Sequence, residues 1–99
     1  MANVEHIKPP IPAGYQQLAV TSAAVVALTI PTGSRYAVIK VVTNSIRYRD
    51  DGTNPQTTSG MPMDANDMIE LTSREQLSAF KAIAQATSGE LEILYYKLS

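Results

Sequence analysis

One histidine, no cysteine and nine carboxylates are the conventional catalytic material in these 99 residues. A nucleophile needs a base within hydrogen-bond reach, and a catalytic metal needs several ligands converging on one point. His6 stands alone near the N-terminus, in a position that reads as solvent-exposed. The chain has no Gly-x-Ser-x-Gly elbow, no His-x-x-x-His pair and no glycine-rich phosphate loop. A Ser/His/Asp set would require His6 to reach across the domain. Without cysteine there are no disulfides, thiolate metal sites or cysteine nucleophiles, so stability must come from packing or assembly. The census predicts a non-enzyme with no catalytic residue, no cofactor, no metal and no small-molecule substrate.

Two short clusters remain. Asp50-Asp51-Gly52-Thr53-Asn54 brings several oxygen ligands together, as a calcium loop does. It lacks the later acidic residues that EF-hand spacing demands, and Asp-Gly is the ordinary signature of a tight turn. Just before it, Arg47 and Arg49 are two apart, so both guanidinium groups leave the same face of a strand. That pattern fits an exposed mixed-charge surface with intramolecular pairs. It also fits a subunit contact in which an arginine forks onto a neighbour's carboxylate. Stacking on nucleic acid is disfavoured, because only Tyr48 lies between the arginines and the formal net charge is −1.

The elements that must carry these clusters are strands. Tyr15 to Thr21 alternates, and Val25 to Ile30 continues with Val26, Leu28 and Ile30 on one face. Pro31-Thr32-Gly33-Ser34 marks a turn. Tyr36 to Val42 is apolar on both faces, which predicts a central strand. Ile46 and Tyr48 oppose Arg47 and Arg49 in the next strand. A polar loop follows as far as Gly60, a short Met61-Pro62-Met63 strand comes after it, and Asp64 to Asp67 is a turn by composition. Met68 to Thr72 reads as a strand with Ile69 and Leu71 inward. Ser73-Arg74-Glu75-Gln76 has capping-box spacing, so a short helical turn over Ser73–Leu77 followed by a strand is preferred to a longer helix. The closing strand, Glu90 to Lys97, puts Leu91, Ile93 and Tyr95 on one face. The predicted core is Leu18, Val20, Val26, Leu28, Val38, Ile39, Val41, Ile69, Leu71, Phe80, Leu91 and Ile93.

Seven or eight short strands with turn signals between them predict an all-β chain: one antiparallel β-sandwich or jelly-roll-like barrel over residues 15–99. Residues 1–14 read as an extended, proline-rich arm, since Pro9, Pro10 and Pro12 each lack a ladder donor. Those prolines also interrupt the stretch where a signal peptide would need an apolar helix, so no targeting segment is expected. The apolar run from Leu18 to Ile30 is well short of the roughly 20 residues of a membrane-spanning helix. Charged residues make up 17% of the chain, below the roughly 25% of typical soluble domains. A chain short of charge tends to hide surface in a partner, although small thermostable β domains share the feature.

The run Ile46-Arg47-Tyr48-Arg49-Asp50-Asp51-Gly52-Thr53-Asn54-Pro55, with Gly60-Met61-Pro62-Met63, Glu70-Leu71-Thr72, Leu77-Ser78-Ala79-Phe80-Lys81-Ala82-Ile83 and Leu91-Glu92-Ile93-Leu94-Tyr95-Tyr96, resembles a group of small tailed-bacteriophage virion proteins. The similarity runs from about Tyr15 to Lys97. The resemblance implies a β-sandwich capsid decoration (cement) protein, assembled as a homotrimer and bound to the major capsid protein. It places the protein at the capsid surface of the virion after synthesis in the host bacterial cytoplasm. Neither nucleic acid nor membrane is an expected partner. A neck, tail or head-fibre component, or a receptor- or carbohydrate-binding module, is the alternative. The expected contact residues are Ile7, Pro9, Pro10 and Ile11 in the arm, with Arg47, Arg49, Asp50, Asp51, Thr53 and Asn54 in the central strand and loop.

Overall fold

A computed structural model describes residues 10–98. Eight strands and one short helix follow in chain order: β1 (Pro10–Val20), β2 (Val26–Ala27), β3 (Tyr36–Thr43), β4 (Ile46–Arg49), β5 (Met61–Met63), β6 (Met68–Leu71), α1 (Arg74–Ala79), β7 (Lys81–Ala84) and β8 (Gly89–Leu98). They form two four-stranded antiparallel sheets, ordered β1-β8-β3-β6 and β2-β7-β4-β5. First pairs with last, second with seventh, third with sixth and fourth with fifth. The chain is therefore one long antiparallel hairpin rolled up on itself, which is the connectivity of an eight-stranded jelly roll. The expected all-β sandwich is the observed fold.

Alternation along each strand decides what is buried. Ala37, Ile39 and Val41 of β3 point inward, as do Leu91, Ile93 and Tyr95 of β8 and Leu71 of β6. They meet Ile46 of β4, Met63 of β5 and Ala82 and Ala84 of β7 across the gap between the sheets. Leu77 and Phe80 close one end of this core, and the Phe80 ring stacks on Tyr48 with centroids 5.4 Å apart. The alanines on β7 allow close approach where the larger side chains of the facing sheet enter. At the start of β8, Gly89 is buried, and a Cβ there would lie 2.6 Å from the carbonyl oxygen of Thr43. Only glycine fits that crossing.

Four expectations change. β1 begins at Pro10, so residues 10–14 belong to the sandwich and the arm cannot extend to Gly14. The prolines are tolerated because β1 is an edge strand, and the register slips between Pro12 and Gly14. The strand expected over Val25 to Ile30 pairs only at Val26 and Ala27, although Val26, Leu28 and Ile30 do pack on the core as one face. Val38, expected inside, lies on the outer face with Tyr36 and Lys40; β3 is central in its sheet but covered on one side only. The helical turn extends to Ala79, two residues past its expected end.

The capping-box spacing is realised with a shift. Ser73 Oγ accepts from the Gln76 N–H at 3.2 Å, while Gln76 Oε1 reaches back one residue further and accepts from the Thr72 N–H at 2.8 Å. Gln16 of β1 ties together β8 and the segment after β2 in a similar way. Its Oε1 accepts from the Thr29 N–H at 3.2 Å and from the buried Tyr95 hydroxyl at 2.5 Å.

Candidate functional site

The loop between β4 and β5 sits at the tip of the rolled hairpin, and its own strand holds it down. The Arg47 Nε–H donates to the Thr57 carbonyl at 3.1 Å, and Nη1 donates to the Gly60 carbonyl at 2.9 Å. Gln56 and Ser59 exchange backbone hydrogen bonds of 2.8 and 3.0 Å, which tighten the far end of the loop. Pro55, the loop's single proline, is fully buried. Gly60 has φ +132°, and a Cβ there would lie 3.1 Å from Pro55 Cβ and 3.2 Å from the Tyr48 carbonyl oxygen. A loop without an apolar stripe is thus ordered by one arginine, one proline and one glycine.

Arg47 and Arg49 leave the same face of β4, as expected, but both forks are satisfied within the chain. Arg49 forms a two-point pair with Asp51, and Asp51 Oδ1 also accepts from the Thr53 N–H at 3.1 Å. The Arg49 guanidinium, followed by the Thr53 amide, holds the Asp51 carboxyl below its ordinary range; in return the carboxylate raises Arg49. This is the lone ion pair among the described residues. Asp50 is half-buried and accepts from Gln76 Nε2 at 3.2 Å, tying the loop base to α1. Burial, reinforced by the charge of Asp50, raises the pKa of the neighbouring Tyr48 phenol. Asp51, Thr53 and Asn54 form the exposed tip.

The expected arm contacts fare differently. Ile7 and Pro9 lie outside the described residues. Pro10 and Ile11 are strand residues opposite Leu98 and Lys97, and Ile11 is partly exposed. Among the described residues, Pro10 and Ile11 belong to one sheet and Arg47 and Arg49 to the other.

A second surface was not among the expected contacts. On the outer face of the β1-β8-β3-β6 sheet, Tyr15, Leu94 and Val38 stand in one cross-strand row. Gln17, Glu92, Lys40 and Met68 form the next. Tyr36 and Tyr96 flank them, rings 5.1 Å apart. Tyr15, Leu94 and Met68 are 55%, 46% and 59% exposed, and they border a shallow hollow of about 190 Å³ floored by Val38. The tyrosine phenol at position 15 is raised above its ordinary pKa, first by the low-dielectric surface around it and then by Glu92. The sequence did carry a signal for this face. Both sides of β3 are apolar, a pattern that double burial and one exposed apolar face share.

Among the described residues, no three His, Cys, Asp or Glu side chains come close enough to hold a metal ion, and no helix is long and apolar enough to cross a membrane. A larger open cleft of about 350 Å³ runs past Arg35, Tyr36, Ser73, Arg74, Glu75 and Leu98. No protein-family model matches the chain, and no curated protein or solved structure matches it either.

Proposed function

We propose that this chain is a structural component of a tailed-bacteriophage virion, specifically a capsid decoration protein that binds the major capsid protein lattice at the virion surface. The observation that carries the proposal is the Arg47–Pro55 strand and turn together with the closing Tyr95-Tyr96 strand, the segments on which the phage resemblance rests. The fold supports it by analogy, since jelly rolls recur in viral capsid domains, though also in lectins and cupins. The loop geometry is consistent with the role. Arg47 and Pro55 fix the loop, so Asp51, Thr53 and Asn54 are presented on a preorganised tip that loses little entropy on contact. A protein that binds only the assembled shell stabilises it by mass action.

Counting copies in purified virions, by quantitative mass spectrometry and a cryo-EM map, tests the proposal. A decoration protein is present on the order of hundreds per particle, whereas a neck or tail ring has roughly six to twelve. A ring-like count would replace the decoration reading with a neck or tail role. Absence from the virion would end both.

A further inference from the structure

We propose that the outer face of the β1-β8-β3-β6 sheet is a two-fold self-association surface, and that its occupant is the same face of a second copy of this chain. The inference does not depend on the phage reading.

Apolar exposure is concentrated there. Six large apolar residues are exposed among those described, and Tyr15, Met68, Leu94 and Leu98 lie on this face. The opposite sheet exposes less apolar surface: Met61 of β5 is 60% exposed, and Pro62, in register with Arg47, is exposed beside it. It carries Arg47, Arg49 and Lys81, and Ile83, in register with Arg47, is only 7% exposed. A head-to-tail contact needs two different complementary patches, whereas an isologous contact needs one patch that complements itself. The face with most of the exposed apolar surface therefore pairs with its own copy.

The charges on the face fit that geometry. Lys40 and Glu92 are direct cross-strand neighbours at its centre, with Glu90 towards one end of β8 and Glu70 next to Val38 on β6. Neither Lys40 nor Glu92 takes part in an ion pair among the described residues. A patch with both signs side by side is self-complementary under a two-fold rotation. Lys40 of each copy then meets Glu92 of the other, and Leu94 and Val38 meet across the axis. A partner surface of a single sign would leave one of these charges opposed. Four strands by six or seven residues make a patch roughly 20 Å by 20 Å, on the order of 400 Å² per copy. That size corresponds to a reversible, concentration-dependent pair rather than an obligate one.

The test uses the full-length chain and two charge reversals, Lys40→Glu and Glu92→Lys. Molar mass is followed by sedimentation equilibrium from about 1 μM to about 1 mM. The wild-type chain is expected to approach twice its monomer mass as concentration rises. Each variant alone places like charges opposite each other twice and should lose roughly tenfold or more in pairing affinity. An equimolar mixture should recover it, because both inter-chain contacts then join Glu at 40 to Lys at 92 or the native pair. Contacts within one chain cannot produce that rescue. Circular dichroism confirms that both variants are folded; if either is not, Leu94→Lys takes its place and should be monomeric throughout the range. A wild-type monomer at all concentrations overturns the proposal. So does a trimer mass, pairing that survives in the single variants, or a mixture that stays monomeric.

Discussion

The two outer faces of the sandwich have opposite histories of satisfaction. The face of the β2-β7-β4-β5 sheet carries arginines, yet nearly everything polar on it is already used. Arg47 is spent on the Thr57 and Gly60 carbonyls, Arg49 on Asp51, and the Asp50 carboxylate at the loop base on Gln76. The face of the β1-β8-β3-β6 sheet carries Lys40, Glu70, Glu90 and Glu92, none in an ion pair among the described residues, and Tyr15, Met68 and Leu94 are left uncovered. Charge is therefore a poor guide to where this protein has binding capacity left over. An arginine that forks onto its own loop contributes order, and an uncovered Leu94 retains the free energy of burial for a partner.

Four measurements break or sharpen that contrast. The largest effect is expected at Gly60→Ala, which forces a Cβ against Pro55 and the Tyr48 carbonyl at a φ that L residues rarely adopt. The loss should be about 3 kcal/mol in urea unfolding, from backbone strain and overpacking together. A neutral result would mean that the loop is not held as described.

Alkaline titration separates the two sides of the other sheet. Burial pushes the Tyr95 phenol up to about 12, from an ordinary value near 10. Because the folded-state value is the higher one, the associated stability is fully present below pH 10 and is lost as pH rises through 12. The expected loss is about 2 to 3 kcal/mol across that window. Tyr95→Phe should flatten the decline, whereas Tyr15→Phe, on the exposed side, should leave it in place.

Arg47→Ala removes a charged donor from two carbonyls and should cost about 2 kcal/mol. Arg47→Lys should recover only part of this, since an ammonium cannot reproduce the fork. Full recovery would argue that the loop is held by charge alone. Leu94→Ser should have the smallest effect, with monomer stability within about 0.5 kcal/mol of wild type. A larger drop would show that the outer face contributes to the fold itself.

Much of the local structure was legible in the sequence. Ser73-Arg74-Glu75-Gln76 marked the helix start because a hydroxyl accepting from the third amide is a contact within one turn. Pro31-Thr32-Gly33-Ser34 marked a turn, and Gly33 has the φ of +85° that such a turn uses. Leu91, Ile93 and Tyr95 marked the inner face of β8 because alternation is a property of a single strand. Arg47 and Arg49 were correctly placed on one side of β4, but their partners were not legible. Thr57 and Gly60 offer only backbone carbonyls, which leave no trace in residue type.

From residue order alone come the all-β character, the turn positions, the capped helical turn and the absence of cysteine chemistry. Each depends on side-chain type, or on neighbours a few positions apart. Tertiary structure decided the rest. It paired β1 with β8 and β3 with β6, so that Val38 faces outward and Ile39 inward. It put Pro10 and Pro12 on an edge where their missing donors cost nothing to the ladder. It also closed the Arg47 loop on itself. These outcomes rest on contacts between residues far apart in the chain. The periodicity of β3 shows that both its faces are apolar, and only the position of the second sheet determines which one is covered.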